Sequence, residues 1–264
     1  MARSVLPRLD LVRTRDSLVA FLEETLQRTG LRRFVLGLSG GVDSALSCAL
    51  GCEAAGPGGI VPVKMPYRTS DPNSEAHADL AASSLGLRAE RVDITSMVDS
   101  YLGDNGSVST LRRGNLAARA RMAVLFDIAA RERGLVLGTS NRTEILLGYG
   151  TWYGDTACSL NPLGNLFKTH VWALAESQGV PAMILEKAPS ADLWPDQTDE
   201  SELGFSYALA DEALYRMVEM GQTPEEIASE ELPLDRVLDV RRRMEANAFK
   251  RRPPALGPVV YEKD

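Results

Sequence analysis

Residues 34–45, FVLGLSGGVDSA, leave this chain few folds to choose from. Phe34, Val35, Leu36 and Leu38 make an apolar run of the kind that a buried strand carries. The run passes through SGGVDS into an apolar-periodic stretch, Ala45 to Ala55, that reads as a helix. Gly40 and Gly41 at a strand-to-helix turn let backbone N–H groups converge on one point. The positive end of the helix adds to the same field, so the turn is an anion cradle. It is not the GxxxxGK[ST] loop, because it has no lysine. With Ser39, Ser44 and Asp43 instead, it can hold a departing pyrophosphate with a metal ion near Asp43.

The rest of the chain supplies a sheet for that turn. A helix is expected over 9–29, then strand 34–38 and helix 44–55. Strand 59–65 follows, then a polar turn, a helix through about Leu85 and a strand over 87–94. A short helix, a polar stretch, a long helix over 115–133 and a strand over 135–140 come next. Repeated βα units of this length argue for an α/β fold, a parallel sheet with helices on both faces. Ligands of such sheets sit beyond the carboxyl ends of the strands, where the SGGVDS and GTSN turns both fall. The C-terminal third reads as helical. No linker marks a second domain, so 1–264 is read as one unit.

Composition narrows the function. A net charge of −7 argues against a dedicated nucleic-acid surface. No apolar run approaches the ~20 residues needed to span a bilayer, and the N-terminus lacks the apolar core of a secretory signal. Cys48, Cys52 and Cys158 form no even disulfide set and fit a reducing compartment, hence a cytoplasmic enzyme. Cys48 and Cys52 share a helix face and read as small buried hydrophobes.

Three further stretches carry polar chemistry. In GTSNRTEILLGYGTWYGD, residues 138–155, Thr139 and Ser140 end a strand, and Glu144 lies near the start of a helix. Glu144 facing Asp43 would make an oxygen-rich site suited to Mg²⁺; alone, it would serve only the helix dipole. In NPLGNLFKTHVWALA, residues 161–175, a helix starting near Leu166 puts Lys168 in its first turn, where a cation opposes the macrodipole. A bound anion would remove that conflict, and a solvated surface lysine is the other reading. The segment KAPSADLWPDQTDESELGFSY, residues 187–207, is aperiodic at its start, and loops of that length are often lids. Ser190 and Asp192 are its polar contacts, with Leu193 and Trp194 to dock it.

The lysine-free loop resembles that of the N-type ATP pyrophosphatases, which split ATP into AMP and pyrophosphate. The order SGGVDS, MPYRTSDP, RRGNLAARARM, GTSNRTE, LGY, YGD, NPLGNLFKT, PSADLWPDQTDESELGFSY and KRRPP is similar to that of ammonia-dependent NAD synthetases, over about residues 15–255. The resemblance implies an adenine nucleotide alpha hydrolase-like fold and a homodimer. It implies that ATP adenylates the carboxylate of deamido-NAD and that ammonia displaces AMP. By motif, Gly37, Leu38, Ser39, Gly40, Gly41, Val42, Asp43 and Ser44 would surround the phosphates. Thr139, Lys168 and Ser190 would contact ATP, and Asp43 and Glu144 would bind Mg²⁺. Asp43 and Lys168 would be the catalytic pair. Arg119 and Lys250 would contact deamido-NAD. Glutamine-using versions carry a glutaminase domain that this chain has no room for, so ammonia or a separate glutaminase subunit would supply nitrogen.

Three positions depart from the family pattern. Trp152 stands where many members have lysine, Ser159 where many have aspartate and Phe249 where many have histidine. All three belong to the substrate-binding set. Neutral drift and a paralogue amidating another carboxylate both accommodate them. A rival of another class comes from residues 223–252. Thr223, Pro224 and Glu226 make a capping box before two short helices that end in a basic cluster, a possible helix-turn-helix of a nucleotide-gated DNA-binding regulator. A tRNA-thiolating enzyme would need paired reactive cysteines and a basic surface, and neither is evident.

Overall fold

A computed structural model describes residues 5–103, 108–190 and 198–260. Asp192, Leu193 and Trp194 therefore lie outside the described residues. The order begins with α1 (Leu11–Thr29), β1 (Arg33–Gly37), α2 (Val42–Ala55), β2 (Ile60–Lys64), α3 (Pro72–Ser84) and β3 (Glu90–Arg91). It continues with α4 (Thr95–Leu102), α5 (Thr110–Glu132), β4 (Gly134–Val136), α6 (Arg142–Leu147), α7 (Lys168–Ser177) and α8 (Ala182–Leu185). α9 (Asp199–Leu203), α10 (Tyr207–Val218), α11 (Pro224–Ile227) and α12 (Leu234–Ala246) complete it.

The four strands form one parallel sheet in the order β3-β2-β1-β4. Chain order reverses between β1 and β4, and the crevice beyond their carboxyl ends is where a ligand of such a sheet sits. Phe34 and Leu36 point to one face, with α1, α2 and α7, and Val35 points to the other, with α4 and α5. A strand buried on both faces needs a continuous apolar run, as the sequence has there. Helices α10–α12 close a third cluster around Tyr207, Leu214, Val237 and Val240, and Trp172 packs against both this cluster and the α1/α2/α7 side. No helix among the described residues is long and apolar enough to cross a membrane.

Three strands are shorter than the sequence predicts, β2 by one residue at each end and two others by more. The regular ladder of β3 is two residues rather than 87–94, Glu90 and Arg91 opposite Val63 and Lys64, although Val92 and Ile94 still donate to the carbonyls of Lys64 and Pro66. β4 ends at Val136: Leu137 still donates to the Val35 carbonyl of β1 and bridges Leu160, and the chain then turns into α6. Helix α5 begins at Thr110 rather than 115, since the Ser109 hydroxyl caps it by accepting the Arg112 N–H.

Candidate active site

The loop between β1 and α2 is set by its own side chains. The Ser39 N–H donates to the Ser44 hydroxyl at 3.2 Å, and the Gly41 N–H donates to the Ser39 hydroxyl at 3.3 Å. The Ser44 hydroxyl donates to the Gly41 carbonyl at 2.9 Å. No side chain caps α2, whose first turn therefore keeps its free donors for a ligand. Gly40 has φ +80°, and a Cβ there would lie 2.4 Å from the Ser74 carbonyl oxygen. The loop thus packs against the first turn of α3 as closely as a backbone can.

Asp43, at the start of α2, meets two residues from distant segments. Lys168 Nζ lies 2.5 Å from Asp43 Oδ2 and 3.7 Å from Glu144 Oε1. One ammonium thus gathers both carboxylates. Asn141 ties them again: its Nδ2 donates to Asp43 Oδ1 at 2.9 Å, and its Oδ1 accepts the Glu144 N–H at 3.0 Å. The Glu144 carboxylate accepts the Asn141 N–H in return, a capping box at the start of α6. Glu144 therefore serves its helix and faces Asp43 as well. Burial first, and then the like charge of Asp43, push its pKa up to about 8 against the pull of Lys168.

Lys168 is 2% exposed at the first position of α7. Burial opposes its charge, but Asp43 and Glu144 outweigh that and raise its pKa above the ordinary lysine value. Its ammonium lies 5.1 Å from the Tyr207 ring centroid and 5.5 Å from that of Trp172. The conflict between a lysine and a helix N-terminus is relieved from α10. Asp211 accepts the Thr169 N–H at 2.8 Å and the Thr143 hydroxyl, which itself accepts the Lys168 N–H. Asp199, whose pKa burial raises, accepts the hydroxyls of Tyr207 at 2.8 Å and Tyr149 at 3.0 Å.

A cavity of about 540 Å³ opens over this cluster, between the sheet and the C-terminal helices. Gly37, Leu38, Ser39, Gly41, Val42, Asp43 and Ser44 line it, as do Thr139, Glu144, Lys168, Ser190 and Lys250. Gly40 stands behind the loop against Ser74. Arg119, Trp152, Ser159 and Phe249 do not line the cavity. The Ser159 hydroxyl accepts the Val136 N–H beside β4. Trp152 stacks on Tyr153 at 4.5 Å and meets Phe249 edge-on at 5.3 Å, while Arg119 donates to the Trp152 carbonyl. Lys250 Nζ donates to the carbonyls of Gly148 and Gly150 at 2.7 and 2.9 Å. Arg251 donates to those of Leu146 and Met244. The basic C-terminal cluster thus braces the loop after α6, and α11 and α12 pack against α10 around the buried Ile227 and Val237.

The sequence model of the NAD synthase family matches residues 14–254. The chain belongs to the NAD synthase family. The NH(3)-dependent NAD(+) synthetase of Trichlorobacter lovleyi is 51% identical over 93% of this chain and 90% of its own length. Two solved structures, each 30% identical over 95% of this chain, share the fold. They are the NMN synthetase from Francisella tularensis, TM-score 0.82 over 99% of that chain, and the NH3-dependent NAD synthetase from Campylobacter jejuni, TM-score 0.80 over all of it. Within this NAD synthase fold, the residues that sequence reasoning missed are Asn141, Thr143, Asp199, Tyr207 and Asp211. The N-x-x-E spacing of Asn141 and Glu144 could have found the first. The others meet the site only through tertiary packing.

Proposed function

We propose that this protein amidates deamido-NAD to NAD with ammonia and ATP, through an adenylated carboxylate, releasing AMP and pyrophosphate. The observation that carries the reading is the convergence of Asp43, Glu144 and Lys168 at the end of a lysine-free phosphate loop. The substrate carboxylate oxygen attacks the α-phosphorus of ATP, and ammonia then attacks the acyl carbon and expels AMP. Neither step calls for a protein nucleophile. The loop N–H groups and the Ser39 and Ser44 hydroxyls hold the phosphates of ATP, and Lys168 fixes the two carboxylates in place. Both histidines lie on helices: His170 Nε2 meets the Pro7 carbonyl, and His77 stands behind Gly40.

The two carboxylates fit Mg²⁺. They are hard oxygen donors that converge on one ammonium, Lys168 Nζ lying 2.5 Å from Asp43 and 3.7 Å from Glu144. No group of three metal-ligating side chains occurs among the described residues, so phosphate oxygens and water would complete the shell. Held by Asp43 and Glu144, the cation would supply charge neutralisation on the phosphates.

Lys250, which lines the cavity, and Arg119, with the aromatic set Trp152, Tyr153 and Phe249 packed beside one another, are the proposed substrate contacts, Ser159 belonging to the same set by motif. Ring stacking replaces the polar contacts of the common pattern. The protein is read as a homodimer working in the cytoplasm, a location that its free thiols support. Purified protein given ATP, ammonium and deamido-NAD should form NAD, AMP and pyrophosphate in equal amounts, and glutamine should not replace ammonium. ADP and phosphate as products would refute the reading. The likeness to an NMN synthetase supports a second carboxylate, nicotinate mononucleotide. Comparing kcat/KM for the two substrates decides between them.

A further inference from the structure

The cavity gathers several cations, and most are already engaged. Lys64 Nζ lies 2.6 Å from Asp79 and 3.9 Å from Glu75. Lys168 is held by Asp43 and Glu144. Lys250 and Arg243 donate to main-chain carbonyls, as Arg121 does to that of Met65. Lys187 differs. Its Nζ donates to the Ser74 hydroxyl at 3.0 Å, and no carboxylate among the described residues lies within 4 Å of it. It is half-buried and lines the cavity. An ammonium so placed, with a neutral hydroxyl as its hydrogen-bond partner among the described residues, is a site for an anion.

Its tether says which anion. Ser74 is buried in the first turn of α3, and its carbonyl oxygen is the atom against which Gly40 packs. Lys187 is thus one hydrogen bond from the residue that backs the phosphate loop. That loop has no lysine of its own, and Lys168 is neutralised by its carboxylates. We propose that Lys187 is the cationic ligand of the departing pyrophosphate, a further catalytic residue. The proposal rests on the adenylation reading above. In that step the carboxylate oxygen–phosphorus bond forms as the α-phosphorus–oxygen bond breaks. The electron pair of the broken bond goes to the bridging oxygen, which leaves as pyrophosphate, and Lys187 keeps its protons throughout. Without nucleotide, the Ser74 hydroxyl holds the ammonium facing the cavity.

Lys187→Met and Lys187→Arg test this with the full chain and Mg²⁺. The Met variant should raise the pyrophosphate dissociation constant, measured by calorimetry, roughly tenfold or more, while AMP binding stays within about twofold. Its kcat should fall, and the Arg variant should recover most of both losses. Ser74→Ala, which removes only the tether, should weaken pyrophosphate binding by a few-fold. Unchanged pyrophosphate binding in the Met variant, or equal weakening of AMP and pyrophosphate, overturns the proposal. So does a wild-type protein that does not bind pyrophosphate. If the wild type binds pyrophosphate through Lys187 but makes no NAD, AMP or nicotinamide mononucleotide, the adenylation reading falls and the site assignment stands.

Discussion

Asp43 is the residue on which most of the site's interactions meet. It accepts from Asn141, pairs with Lys168 and faces Glu144. Replacing it with asparagine keeps the volume and removes the charge. Lys168 would still have Glu144 as a partner, so the fold should survive. Turnover of Asp43→Asn should fall by at least ~100-fold, the scale of losing one electrostatic contact to a reacting phosphate. A steady-state assay beside a thermal melt checks it; turnover within threefold of wild type would remove Asp43 from the machinery. Lys168 is less tolerant. Losing its charge would leave two carboxylates crowded without a counter-ion, and breaking such a buried pair costs about 3–5 kcal/mol. An inactive Lys168 variant would therefore speak about the fold before it spoke about the chemistry.

At the scale of elements, the unit β1–loop–α2 does most to place the site. Its glycine is fixed by geometry: Gly40→Ala would put a methyl group 2.4 Å from the Ser74 carbonyl at φ +80°. Either the loop or α3 must shift, so ATP affinity should fall more than about tenfold, with a stability loss of ~1–3 kcal/mol. Equilibrium binding and a urea titration read both. Helix α2 is buried along much of its length, and burial pushes the Cys48 thiol up to about 12. Below pH ~7.5 the thiol is protonated both folded and unfolded, and contributes no pH dependence. Above it the unfolded thiol ionises first. The folded protein then holds the extra proton, and stability falls with rising pH, by up to ~1.4 kcal/mol per unit from this group. Cys48→Ala should flatten the fall between pH 8 and 10, and in the native wild type Cys48 should resist thiol reagents. The sequence made this unit legible, because an apolar run, two glycines and a helical period agree there. It did not make β3 and β4 legible in length, since apolar residues continue past the last paired position. Asp199 and Asp211 were illegible for another reason. Nothing near them in sequence says that α9 and α10 fold back onto Lys168.

The molecule packs one hydrophobic cluster on each face of the sheet and a third among α10–α12, and the site cavity opens between the sheet and those helices. The contacts that close the site are long in sequence, such as Asp43 with Lys168 and Lys250 with Gly148. Folds closed by such contacts form slowly. After dilution from denaturant, helical circular dichroism should return before ATP binding does. Simultaneous recovery of the two signals would count against this. The same closure bears on how the protein is made. A growing chain presents the SGGVDS loop early, but the lysine that neutralises Asp43 follows 125 residues later. The Lys250 brace comes later still. The cavity over Asp43 is therefore complete only when the first and the last fifth of the sequence have both been synthesised, since Ser39 and Lys250 line it together.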